Sequence, residues 1–282
     1  LIPSALPAQD DRPEPFDEAT QKRSIPFDEQ PYKIKVLISF STDAQLSERL
    51  RGDVIRCFRS YVANMVGDAW QIDLQDVSGS LALSSEDSIA KLTDDRIDLF
   101  TADQDKVFVL GIRSVGDRFL LASREFDVVF TRWGPVFVGS AREPAQVARE
   151  LLVLATRMFS PLAKLETGDA KRVSIKIKGG RLPALNPAAI DTTSKYKPAF
   201  QFVPNGTLFR PMRPEYNDDR EIVGVVPMGW TFYEVERRSS SLASCRIVSA
   251  LKNTLPPQAA DLNAPELIVA RTAGGNTRLR LV

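Results

Sequence analysis

Five carboxylates fall within twelve residues, at Asp94, Asp95, Asp98, Asp103 and Asp105. A hard cation such as calcium takes several oxygens of this kind. The run lacks the glycine and the terminal glutamate of an EF-hand loop, so a solvated acidic loop is the preferred reading. Asn217-Asp218-Asp219 is a similar acidic turn. The glycine doublets Gly179-Gly180 and Gly274-Gly275 lack the strand–turn–helix setting and the Lys-Ser/Thr pair of a phosphate cradle, and they read as turns. The chain has no histidine at all. That removes the commonest general base and metal ligand, and with them the Ser-His-Asp and Cys-His mechanisms. Paired carboxylates, lysine or tyrosine could still catalyse, but no such constellation is legible. The expectation is a non-enzyme with no catalytic residue, metal or cofactor.

Two cysteines, Cys57 and Cys245, are too few for a zinc site without other ligands. Cys57 falls on the apolar face of a predicted helix, and Cys245 shares a strand face with Ile247. Two buried thiols in separate cores are expected, with one disulfide between domains as the alternative. Trp70, Trp133 and Trp230 could stack on sugar rings if exposed. Each lies beside apolar neighbours near a strand start, so core or interface packing is preferred. The segment Phe209-Arg210-Pro211-Met212-Arg213-Pro214 reads as a rigid exposed loop. Phe209, Arg210 and Arg213 are therefore the expected partner contacts, together with Phe16 and Phe27 further upstream.

Those last two belong to residues 1–31, rich in proline and acid, which read as an extended arm. The arm carries a short near-repeat, Pro15-Phe16-Asp17-Glu18 and Pro26-Phe27-Asp28-Glu29. It could be a docking strand for a partner, or it could pin the arm to its own domain. Residues 32–166 form an α/β pattern. Lys33 to Phe40 is a strand, and Ser47 caps a helix with Leu50, Val54, Phe58, Tyr61, Val62 and Met65 on one stripe. Trp70–Leu74 alternates as a second strand, and a weaker helix carries Ile89 and Leu92. Strands 106–112 and 118–127 make a hairpin about Gly116-Asp117. Strand 135–140 then leads to a long helix opened by Pro144, with Val147, Leu151, Leu154 and Met158 inward. Residues 167–282 show short strands at 173–178, 199–203, 222–226, 230–236, 244–248 and 277–282, separated by turn residues. That spacing indicates a small β-barrel or sandwich. The fold class is α+β: an α/β sandwich with a mixed sheet, then an all-β domain.

Charge divides the same way. Formal net charge is +1 overall, −4 over residues 1–30 and +7 over residues 167–282. The basic half could meet an acidic surface, but it lacks the dense Lys/Arg runs and interleaved aromatics of a nucleic-acid binder. No apolar run approaches the roughly 18–20 residues of a membrane span. The opening stretch Leu1–Gln9 is similar to the end of a signal peptide and its cleavage region, with a flexible linker as the alternative, and a periplasmic or secreted protein is expected.

The element order over Ile34–Phe40, helix 47–66, hairpin 106–127 and helix 143–160 resembles the N-terminal domain of TolB and the related folds of the curli channel protein CsgG and the flagellar T-ring protein FlgT. The passage Ala122-Ser123-Arg124-Glu125-Phe126-Asp127 into the long helix carries part of that resemblance. Gly206-Thr207-Leu208-Phe209-Arg210-Pro211 and Trp230-Thr231-Phe232 are similar to the β-barrel module of FlgT-type proteins. The resemblance implies a non-enzymatic part of a cell-envelope assembly that contacts other envelope proteins or its own copies. An exported module binding cell-wall or other polysaccharide is the alternative.

Overall fold

The computed structural model describes residues 25–169, 171–182, 203–218, 222–250 and 268–271. The β-branched run Tyr32–Phe40 forms β1, which lies inside a six-stranded sheet. Strands β2 (Trp70–Asp76) and β3 (Lys106–Val115) lie parallel to it, one on each side. Parallel neighbours need crossovers, and right-handed crossovers running in opposite directions must pass over opposite faces of a sheet. The helix α1 (Glu48–Met65) joins β1 to β2. The short helix α2 (Glu86–Ala90) lies in the connection that returns from β2 to β3.

The core follows this division. Ile34, Val36, Ile38, Phe108, Leu110 and Ile112 pack under Val54, Phe58 and Val62 of α1. The alternate residues Leu37, Val107 and Val109 pack with Val77, Leu83, Ile89, Leu92 and Ile97. Strand β4 (Arg118–Asp127) pairs antiparallel with β3 through Gly116, which has φ 60°. Strands β5 (Arg132–Trp133) and β6 (Phe137–Ala141) pair with β4. Helix α3 (Pro144–Met158) then packs Val147, Ala148, Leu151, Leu154 and Met158 into the same layer as α1.

Gly111 marks where the second layer presses on the sheet. A Cβ there would lie 2.3 Å from the Leu83 carbonyl oxygen and 2.9 Å from Ile89 Cδ1. Gly111→Ala should therefore cost about 1–3 kcal/mol through overpacking, read as a lower urea midpoint. An unchanged midpoint would mean that the α2 layer yields freely.

The second sheet is antiparallel throughout. It comprises β7 (Leu162–Gly168), β8 (Arg172–Ile177), β9 (Leu208–Tyr216), β10 (Ile222–Pro227), β11 (Thr231–Ser239), β12 (Leu242–Ser249) and β13 (Ile268–Arg271). Because β13 pairs with both β7 and β9, the pairings return to their start and close a small barrel. Ala163, Val173, Ile175, Ile177, Phe209, Tyr233, Val235, Ala243 and Cys245 fill it. The α+β architecture is thus as expected, with differences of detail. A boundary at 166 falls inside β7, since the barrel begins at Leu162. The expected loop 209–214 is strand β9. Of the expected strand 199–203 only Val203 is described, and residues 277–282 lie outside the described residues. The two units also share apolar contacts, because Leu162 and Met212 of the barrel lie in the sandwich core.

Candidate functional site

A buried charge cluster sits where sandwich and barrel meet. Lys106 opens β3 and pairs across the hairpin with Asp127, while Phe108 pairs with Glu125. Alternation along the strands puts Lys106, Glu125 and Asp127 on one face. Lys106 is 0% exposed, Glu125 2% and Asp127 7%. Lys106 Nζ donates to Glu125 Oε1 at 3.0 Å and to Asp127 Oδ2. The remaining acceptors are used too. The Ser160 amide donates to Glu125 Oε2 at 2.9 Å, and the Phe130 amide donates to Asp127 Oδ1 at 3.2 Å.

A second ion pair, Asp105 with Lys178, ties this edge of the sandwich to the barrel. Next to it the Tyr32 hydroxyl accepts from the Leu162 amide at 2.8 Å and faces the Leu162 carbonyl at 3.3 Å. Burial pushes that phenol well above its ordinary value.

One ammonium facing two carboxylates leaves an excess negative charge out of water, and keeping a proton relieves it. Burial accordingly pushes Glu125 up to about 7, with the Asp127 carboxylate adding to the rise and Lys106 opposing it. Lys106 itself is raised, because the two acids outweigh its desolvation. The cluster is thus an ammonium held between two acids, with Glu125 taking up a proton more readily than an ordinary carboxylate. The expectation that no paired acids exist is thereby corrected. All three side chains are buried, and their bonds tie β3 to β4 and to the residues that follow each of β4 and α3. The cluster is a clamp.

Four of the five expected partner contacts fall among the described residues, and they occupy different settings. Phe16 lies outside the described residues. Phe27 is half-buried against the sandwich core, with Lys164 Nζ 4.7 Å from its ring centre. Phe209 is corrected outright, since it is 0% exposed inside the barrel. Arg210 is half-buried on β9, and its buried Nε has no hydrogen-bond partner among the described residues. Burial and the nearby Arg132 guanidinium hold Arg210 below its ordinary value. Arg213 stands on β9 opposite Val226.

Other readings change as well. Cys57 is exposed, contrary to the buried thiol expected; Cys245 is buried, and both thiols are free. Burial pushes the Cys245 thiol up to about 12, which leaves it unreactive. Asp94 accepts from Trp133 Nε1 at 2.9 Å while Asp105 holds Lys178, so the acidic run is divided between separate contacts.

Trp230 also departs from the expected core or interface packing. Trp70 is buried, but Trp230 is 70% exposed at φ 52° in the turn between β10 and β11. The turn is anchored. The Ala250 amide donates to the Trp230 carbonyl at 3.1 Å, and buried Thr231 lies 2.9 Å from the Ser249 hydroxyl. A bulky residue in the left-handed region costs about 1–2 kcal/mol, and here the strained backbone holds an indole out in solvent.

No protein-family model matches this chain. No curated protein matches it. Among solved structures, TolB from Acinetobacter baumannii is similar over 80% of this chain and 48% of its own, with 13% identity and a TM-score of 0.29. The chain thus spans about half the length of that structure. A lipoprotein from Neisseria meningitidis is similar over 44% of this chain and 93% of its own, at 12% identity and a TM-score of 0.26. The PelC dodecamer from Paraburkholderia phytofirmans is similar over 44% and 85%, at 9% identity and a TM-score of 0.27. Similarity of this degree carries no argument, so the functional reading rests on the surfaces of this chain. No helix among the described residues is long and apolar enough to cross a membrane.

Proposed function

We propose that this chain is a non-enzymatic component of an exported or cell-envelope assembly and acts through contacts with other proteins or its own copies. Trp230 is the observation that carries the reading. Two costs coincide there, a left-handed backbone and an indole in water, and both are offset when the ring enters a partner pocket. Buried aromatic anchors dominate the energetics of most interfaces. Arg210 and the nearby Arg132 guanidinium together add positive charge suited to an acidic partner surface. The sealed state of the Lys106 cluster supports a role without turnover. The envelope setting is supported by the element-order resemblance alone.

The exposed indole also suits the alternative reading, stacking on a sugar ring, and one set of measurements separates the two. Trp230→Ala should weaken capture of a partner from envelope extract, or self-association followed by light scattering, by about tenfold or more while leaving the Tm unchanged. Equal association by both proteins would remove Trp230 from the interface. Quenching of Trp230 fluorescence by glycan strands, without any protein capture, would favour the polysaccharide reading.

A further inference from the structure

We infer that Pro15-Phe16-Asp17-Glu18 is a second ligand for the receptor that Pro26-Phe27-Asp28-Glu29 fills, so that the arm can dock in two registers eleven residues apart. The basis is the match between what the receptor reads and what the two tetrapeptides share. Pro26, at φ −52° and ψ 142°, sets the entry to the turn formed by Phe27–Glu29. The Phe27 ring lies under Lys164 Nζ and against the sandwich core. The Gly179 amide donates to the Phe27 carbonyl at 3.2 Å, and the Arg181 amide donates to the Asp28 carbonyl at 2.9 Å. The Arg181 guanidinium then takes both acids, Asp28 Oδ2 at 2.8 Å and Glu29 Oε1 at 3.0 Å.

Pro, Phe, Asp and Glu recur in that order at 15–18, so each of these contacts has a counterpart there. What does not recur is Gln30, whose Nε2 donates to the Ile25 carbonyl at 2.6 Å; Ala19 stands in its place. Residue 27 therefore has the advantage in its own chain, and residue 16 takes the receptor when residue 27 withdraws. Looping out eleven residues adds only a modest chain-entropy cost. The inference is independent of Trp230 and stands or fails separately from it.

Amide hydrogen exchange of the full chain tests it at the two reporting groups, Gly179 and Arg181. Phe16→Ala should leave their protection near that of the wild type. Phe27→Ala should keep most of it, and the double variant should lose about tenfold more. The Cys245 amide, deep in the barrel, reports whether the fold survives. Should Phe27→Ala disturb that amide, Phe27→Leu with and without Phe16→Ala gives the same comparison in a gentler background. A peptide of residues 12–21 added to the double variant should restore protection, and its Phe16→Ala form should not. If Phe27→Ala exposes Gly179 and Arg181 as fully as the double variant does, or if both peptides act alike, the inference is overturned.

Discussion

Lys106→Met should lower the free energy of unfolding by about 3–5 kcal/mol, as expected when one partner of a buried ion cluster is removed and the others are left uncompensated. Methionine keeps most of the volume, so the loss reports charge more than packing. Glu125 and Asp127, at 2% and 7% exposure, would then face each other without their ammonium. The triple variant Lys106→Met, Glu125→Gln, Asp127→Asn should recover much of the loss. It removes every charge and keeps acceptors for the Ser160 and Phe130 amides. Urea denaturation followed by tryptophan emission measures both. A Lys106→Met midpoint within experimental error of wild type would mean that water reaches the cluster.

The same cluster sets a pH dependence with a definite sign. Glu125 titrates higher folded, at about 7, than its ordinary value of 4.5. Folding therefore takes up a proton at Glu125 in that window, and this group's contribution to the folded state is fullest below pH 4.5. This contribution, on the order of 3 kcal/mol, is lost as pH rises towards about 7. Glu125→Gln should flatten that slope. A variant with the wild-type slope would place the proton elsewhere.

Phe159→Ala is expected to cost a further 3–5 kcal/mol or so, in the range for buried aromatic truncations. Phe159 closes α3 and is 3% exposed. Its ring meets Tyr32 at 4.8 Å, Trp70 at 5.0 Å and Phe108 at 6.4 Å, edge to face in each case. Removing it empties the space between the C-terminal end of α3, β1 and β2. It also loosens Ser160, the next residue, whose amide holds Glu125. Phe159→Ala and Lys106→Met should therefore be non-additive in a double-mutant cycle. A loss near 1 kcal/mol or strict additivity would show that the two features are uncoupled.

The elements that announce themselves by period were legible. Val54, Phe58 and Val62 recur at helical spacing, and the sandwich buries all three. Cys57 lies one position away from that stripe, and one position is 100° of helix, enough to put it in solvent. Strand β9 was hidden by Pro211 and Pro214, which normally argue against a strand interior. Strand β7 begins just after the helix stop at Pro161 and its burial does not alternate, so no period marks it as the first strand of the barrel.

The charge cluster could have been found. The turn at Gly116-Asp117 pairs Val115 with Arg118, and stepping back along both strands brings Lys106 opposite Asp127 and Phe108 opposite Glu125. A lysine at a strand start reads as a solvent-facing flank, and only tertiary packing over that edge makes it interior. The exposure of Trp230 was beyond reach, because it depends on the sign of one backbone angle.

The closure of the barrel bears on how the chain is made. Its seam joins β7, near residue 165, to β13, near residue 270, and β9 also waits for that last strand. During synthesis the sandwich has all its helices and strands once residue 158 has emerged. The barrel stays an open sheet with two unsatisfied margins until about a hundred residues more have left the ribosome. Units generally fold in order of emergence, and pairings this distant in sequence form slowly. The nascent chain therefore passes through a stage in which a finished first half carries a half-built, adhesive second one, the stage at which a chaperone or a premature neighbour would engage it.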